Sequence, residues 1–252
     1  MLLVGAYWWT DDKWSGGQGF RYGPHHVRQL KDAVKRNLTL PHEFVCITDK
    51  PHTFDADKDI RPIVMDRETH VPGKEWAKWM TFHPEGRDLF GGDVLLQLDL
   101  DAVVCGNIDH IVKRDEDLVV WRNPARVPWD KPLQYETRPL FNGSIILHRL
   151  GTHGELWGMF VYNKNKIVGV MRDTQVLMSF VLGPDTPYWD GSDGIYRLAR
   201  QDTPGSGLVD GLPLPDSARI VFFPGSDHKP WLPKVRNAFP WIEDYWREEI
   251  AA

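Results

Sequence analysis

Short apolar runs alternating with a helical pattern set the limits on what this chain can fold into. "LLVGAYW" (2–8), "EFVCIT" (43–48) and "DVLLQLD" (93–99) read as strands. Between the first two, "HHVRQLKDAVKRNL" carries Val27, Leu30, Val34 and Leu38 at the spacing of one helix face. "IRPIVM" (60–65) is a further short strand, and "GKEWAKWMTF" suits a helix stopped near Pro84 and Gly86. Strand–helix–strand order over the first hundred residues predicts an α/β fold with a parallel sheet. Later strands at "DLVVW" (117–121), "GSIILH" (143–148) and "RIVFF" (219–223) alternate less regularly with helices at "THGELWGMFVYN", "RDTQVLMSFVL" and "WIEDYWREEI". The sheet is therefore expected to be mixed. No linker divides the chain, so one domain over 1–252 is expected, with the Pro/Gly-rich segment 183–216 as a functional loop region.

Composition removes several classes of function. A net charge of -5 and no basic stripe give nucleic acid nothing to bind. No apolar run approaches the ~18–20 residues of a membrane span. The N-terminus reads as a first strand rather than a signal peptide. The two cysteines, Cys46 and Cys105, fall inside strand-like runs and read as buried thiols, which suits a cytoplasmic protein.

One motif asks for chemistry. In "LLQLDLDAVVCGNID" (95–109), Asp99 and Asp101 close an apolar strand one residue apart, on the same side of an extended chain. Ligands of open α/β sheets sit outside the carboxyl ends of the strands, where this pair arrives. Two carboxylates about 4 Å apart repel by roughly 4 kcal/mol at an effective dielectric of 20, so they call for a cation, a shared proton or solvent. A hard divalent ion is one economical solution; an acidic turn cap is the other reading.

The segment resembles the metal-binding D-x-D stretch of GT-A fold glycosyltransferases, closest in style to glycosyltransferase family 8 and its bacterial relatives. "FRYGPHHVRQLKDAVKRNLTLPHEFVCITD", "WAKWMTF", "FNGSIILHR", "RDTQVL" and "FFPGSDHKPW" follow in the family's order, so the resemblance spans roughly residues 2–231. It implies a GT-A fold with a central, mostly parallel mixed sheet flanked by helices. It also implies a metal-dependent hexosyltransferase-type enzyme. Such an enzyme moves a sugar from a nucleotide sugar, with UDP the expected nucleotide, to a hydroxyl of a glycan or glycoconjugate, with retention as the family's stereochemistry.

The resemblance also distributes roles. Asp99 and Asp101 would hold Mn²⁺ or Mg²⁺ against the donor diphosphate, Asp99 partly serving the ribose. Lys229 would reach the same phosphates, with Gly225 allowing close backbone approach. The family's usual third ligand is a histidine three residues before that glycine, and here the position is Phe222; His228 or water would replace it. Lys78 either pairs with phosphate or sits on a solvated helix face. Tyr7 either stacks on the base or packs in the core. Asp49 either accepts a hydrogen bond from the base or caps a turn. Asn142, Asp173 and Gln175 would face the sugar, Asp173 doubling as a helix N-cap. Trp129, Tyr188 and Trp189 are candidates to wall the acceptor. A nucleotidyltransferase and a non-catalytic nucleotide- or sugar-binding domain are the rival readings.

Overall fold

The computed structural model describes residues 1–9, 22–64, 75–123, 139–170, 174–198, 213–225 and 227–247. Ten strands appear among them: β1 (Leu2–Trp8), β2 (His42–Thr48), β3 (Arg61–Val64), β4 (Val94–Leu98), β5 (Val103–Val104), β6 (Leu118–Arg122), β7 (Phe141–Arg149), β8 (Tyr188–Trp189), β9 (Ile195–Arg197) and β10 (Ile220–Phe222). Seven of them form a main sheet in the order β3-β2-β1-β4-β7-β6-β8, and β5-β10-β9 make a small second sheet. Strands β1 to β4 run parallel, β7 is antiparallel to both β4 and β6, and β8 is parallel to β6. The architecture is the mixed α/β sheet the sequence predicts.

Alternation along β1 explains how both faces of the sheet become covered. Val4, Ala6 and Trp8 join one core cluster with Val27, Leu30 and Val34 of α1 (Pro24–Asn37). Leu3 and Tyr7 point the other way, into a cluster with Met80, Phe90 and Leu95. Helix α1 starts at a proline in its first turn, where the missing N–H costs nothing, and ends with Lys35 and Arg36 near its carbonyls. Two short helices follow, α2 (Gly86–Phe90) and α3 (Asp109–Val112), and then α4 (Gly154–Val170) and α5 (Thr174–Leu182) bring Leu156, Phe160, Leu177 and Met178 against Trp79 and Ile146.

Several elements depart from the sequence expectation. Residues Glu75–Phe82 are helical but wound as a 3₁₀ helix. The expected last helix is a single turn, Ile242–Tyr245. Strands β5, β8 and β9 are two or three residues long, too short to show a period of two. Both cysteines are buried and unpaired to each other, and burial pushes their thiols up, that of Cys105 to about 12. Among the described residues no helix is long and apolar enough to cross a membrane.

The strand order fixes where a ligand goes. After β1 the chain crosses to β2 and β3 on one side, then returns to lay β4 on the other side of β1. That reversal leaves a crevice at the carboxyl ends of β1 and β4, the place where open α/β sheets bind ligands.

Candidate active site

Strand β4 ends at Leu98, and the next residues turn across the crevice. Asp99 remains tied to the sheet, its N–H donating to the Ser144 carbonyl at 2.9 Å, and its own carbonyl accepts from Ala102 N–H at 3.1 Å. That tight turn carries Asp101 inward to 6% exposure, while the Asp99 carboxylate stays part-exposed. Each acid meets a lysine. Lys78, from the 3₁₀ helix, donates its Nζ to Asp99 Oδ1 and reaches the Gly143 carbonyl at 3.5 Å. Lys229 donates to Asp101 Oδ2 and, at 2.9 Å, to the Phe223 carbonyl. The lysines are 7% and 6% exposed, so the solvated-face reading of Lys78 does not hold.

Asp101 feels opposing forces. Burial, with the charge of Asp99 adding to it, holds its carboxyl above the usual range, and the Lys229 ammonium pulls it back. Tyr22 contributes as well, its hydroxyl donating to Asp101 Oδ2 at 3.1 Å. The backbone carbonyl of Tyr22 accepts from Trp8 Nε1 at 2.9 Å, so the end of β1 positions the phenol. The Tyr22 ring lies 5.5 Å from Trp231 and 5.7 Å from His26, edge to face in both cases. Lys229 Nζ stands 5.6 Å from the same ring. Tyr22 is a site residue that sequence reasoning missed. Seventy-nine positions separate it from Asp101, and no spacing rule spans that gap.

The sugar-facing candidates gather beside Lys78. Asn142 sits near the start of β7, its amide oxygen accepting the Ser144 N–H at 2.8 Å. A Cβ built on Gly143 would lie 3.5 Å from Gln175 and 4.0 Å from Thr174, so the start of α5 packs directly on "NGS". A small pocket opens there, lined by Lys78, Gly143, Thr174 and Met178 among others. Asp173 and Trp129 lie outside the described residues.

Other candidates fall elsewhere. Tyr7 is 5% exposed and packs edge to face on Trp9 at 4.7 Å, because its position in β1 points into the core cluster rather than out over the crevice. Trp189 is fully buried in β8, so it fills the core instead of walling an acceptor. Tyr188 is half-buried, with its hydroxyl accepting from Arg122 at 2.5 Å and the guanidinium 4.5 Å from its ring. Asp49 is exposed just past β2, at the rim. Gly225 takes φ 78°, a left-handed backbone that glycine allows between Phe223 and Lys229.

Among the described residues, the side chains around the acid pair do not fit a metal centre. His228 sits 3.0 Å from Asp227 rather than with the acid pair, and Phe222 turns its ring onto Trp121, centroids 5.1 Å apart. Among the described residues no group of three His, Cys, Asp or Glu comes together as a ligand set. A hard divalent ion needs several oxygens at once. Here Asp99 and Asp101 each give a carboxylate oxygen to an ammonium.

No protein-family model matches the chain, and no curated protein matches it. Solved structures do. A galactosyltransferase, LgtC, in complex with donor and acceptor sugar analogs, superposes with a TM-score of 0.58 at 15% identity, over 94% of this chain and 91% of that one. The glycosyltransferase GlyE of Streptococcus pneumoniae gives 0.63 at 12% identity, over 92% of this chain and 57% of its own. The bifunctional glycosyltransferase WbbM gives 0.56 at 11%, and this chain spans half of its length. The fold is GT-A. At these identities the likeness carries the architecture, and the chemistry has to be argued from the side chains above.

Proposed function

We propose that this chain is a glycosyltransferase, moving a sugar from a nucleoside diphosphate donor, UDP-linked, to a hydroxyl of a glycan or glycoconjugate. One observation carries the reading: two buried lysines held on two aspartates at the β1/β4 crevice of a GT-A fold. In sugar transfer the bond from the anomeric carbon to the phosphate oxygen breaks, and its electron pair leaves with the diphosphate. The acceptor oxygen takes the vacated position on carbon and gives up its proton. Charge grows on the leaving group, and fixed cations aimed at it in a water-poor site lower the barrier. Lys78 and Lys229 are cations of that kind. Asn142, Gly143 and Gln175 stand next to Lys78 and supply amide groups for sugar hydroxyls. Gln175, with Asp173 preceding α5, is the candidate for the sugar's reacting face, which is where retention of configuration would be decided.

The test is a donor-hydrolysis screen across nucleotide sugars, with Asp101→Ala as the control. One donor turning over in the native chain, and at least about tenfold more slowly in the variant, is the expected outcome, a loss of ~1.4 kcal/mol of transition-state stabilisation. A non-catalytic binding domain would bind UDP and turn over nothing. A nucleotidyltransferase would release pyrophosphate from a nucleoside triphosphate.

A further inference from the structure

We infer that Lys78 and Lys229 take the place of a divalent ion in this chain, so that the nucleoside diphosphate binds and departs without a bound metal. The inference rests on the sugar-transfer reading above and concerns the charge that meets the phosphates.

The first support is the charge sum. Among the described residues, two carboxylates and two ammoniums come to zero, as two carboxylates and one divalent ion would, so these four groups leave no surplus negative charge for a metal to neutralise. The second is burial. Both lysines lie under one-tenth exposed, and a buried ammonium is costly unless its partner is at hand. A metal ion on these oxygens would have to drive both ammoniums off their partners, or sit beside them against like charge.

The third support is how firmly the nitrogens are placed. Lys229 is fixed by Asp101 and the Phe223 carbonyl, and Lys78 by Asp99 with the Gly143 carbonyl within reach. Asp101 in turn is held by Tyr22. The carboxylates therefore act as positioning groups for the lysines. A lysine ammonium is compact, close to a point charge, and offers three donors, which suits it to bridge a carboxylate and a phosphate oxygen. The fourth is position 222, where Phe222 is 2% exposed and packed on Trp121. The imidazole that would complete a metal's ligand set is absent there, and the neighbourhood is apolar.

The experiment is calorimetric titration of the full chain with UDP, once in EDTA and once in Mn²⁺, together with Mn²⁺ titration followed by electron paramagnetic resonance without nucleotide. The expected result is a UDP dissociation constant that agrees within about twofold between the two buffers, and no Mn²⁺ taken up by the protein. Lys78→Met is expected to weaken UDP binding in EDTA about tenfold or more, and Lys78→Arg to recover part of it. Binding that tightens tenfold or more with Mn²⁺ would overturn the inference and leave the sugar-transfer reading standing. So would stoichiometric Mn²⁺ uptake, or Lys78→Met binding UDP like the native chain. No UDP binding in either buffer would overturn both. The two-buffer comparison on the native chain stands whether or not the variants fold.

Discussion

Asp99 and Asp101 sit two positions apart, yet the fold gives them opposite surroundings. Asp99 stays part-exposed at the crevice, while Asp101 is enclosed with Lys229 and Tyr22. Breaking a buried ion pair from one side strands the other charge, at about 3–5 kcal/mol, whereas removing both partners together is much less costly. Asp101→Leu and Lys229→Met are therefore each expected to lower unfolding free energy by about 3–5 kcal/mol in urea titrations. The double variant should lose clearly less than the sum of the two. Asp99→Asn removes a part-exposed carboxylate but strands the buried Lys78 ammonium, so a loss of about 1–3 kcal/mol is expected, smaller than at Asp101. Additive losses in the Asp101/Lys229 cycle would mean the two groups do not depend on each other, and the positioning role given to Asp101 would fail. The same contrast explains why the sequence left the role of Lys78 open and gave Lys229 a phosphate but no acid partner. "WAKW" and "HKPW" mark lysines near expected phosphates, but only the folded chain seats each on an acid.

At the scale of elements, the small sheet decides where Lys229 can stand. Strand β10 pairs with β5 antiparallel and β9 parallel, directly joining the turn after Asp101 to the strand that leads to Lys229. Gly194 closes the turn into β9 at φ 79°, and a Cβ there would meet the Ser217 carbonyl oxygen at 2.3 Å. Its own carbonyl accepts the N–H of Arg219 at 2.8 Å. Gly194→Ala combines a disfavoured backbone with a backbone clash, so a loss of about 2–4 kcal/mol is expected from urea unfolding. UDP affinity should fall as well, since β10 leads to Lys229; native affinity in a folded variant would uncouple the small sheet from the site. Of this small sheet only β10, inside "RIVFF", was visible in the sequence. The long parallel strands β1, β2 and β4 announce themselves as apolar runs, and α1 through its 3.6-residue period. Strands β5, β8 and β9 form because partners arrive from distant segments, which local pattern cannot report. Tyr7 and Trp189 failed as site candidates for a related reason: an aromatic residue beside a loop looks alike whether it faces a crevice or the core.

Across the whole molecule, two buried histidines set an acid limit on stability. His26 is held down to about 3 by burial, with His25 close by and Lys229 adding a smaller push, while the Gly23 backbone pulls the other way. His148 is likewise held down to about 3 by burial, with His153 nearby, and its ring lies 4.7 Å from Phe82. Neither ring nitrogen of His148 finds a hydrogen-bond partner among the described residues. Both folded values lie below the ordinary 6.5, so between pH 6.5 and 3 the unfolded chain binds more protons than the folded one. Stability is then fully present above 6.5 and drains away as pH falls through that window. The slope from each group approaches about 1.4 kcal/mol per pH unit once the unfolded imidazole is charged. Asp101 runs the other way, because burial raises its carboxyl and favours the protonated form, so the total slope is a mixture. A difference between two chains isolates the histidine. His148→Phe keeps the ring shape beside Phe82 and removes two unpartnered nitrogens, so it is expected to match or exceed native stability at pH 7. Between pH 6 and 4 its urea-derived free energy should fall less steeply than the native chain's, by about 1.4 kcal/mol per pH unit. Parallel curves would show that His148 is not held neutral by its surroundings, and the acid limit would have to come from His26 or the carboxylates instead.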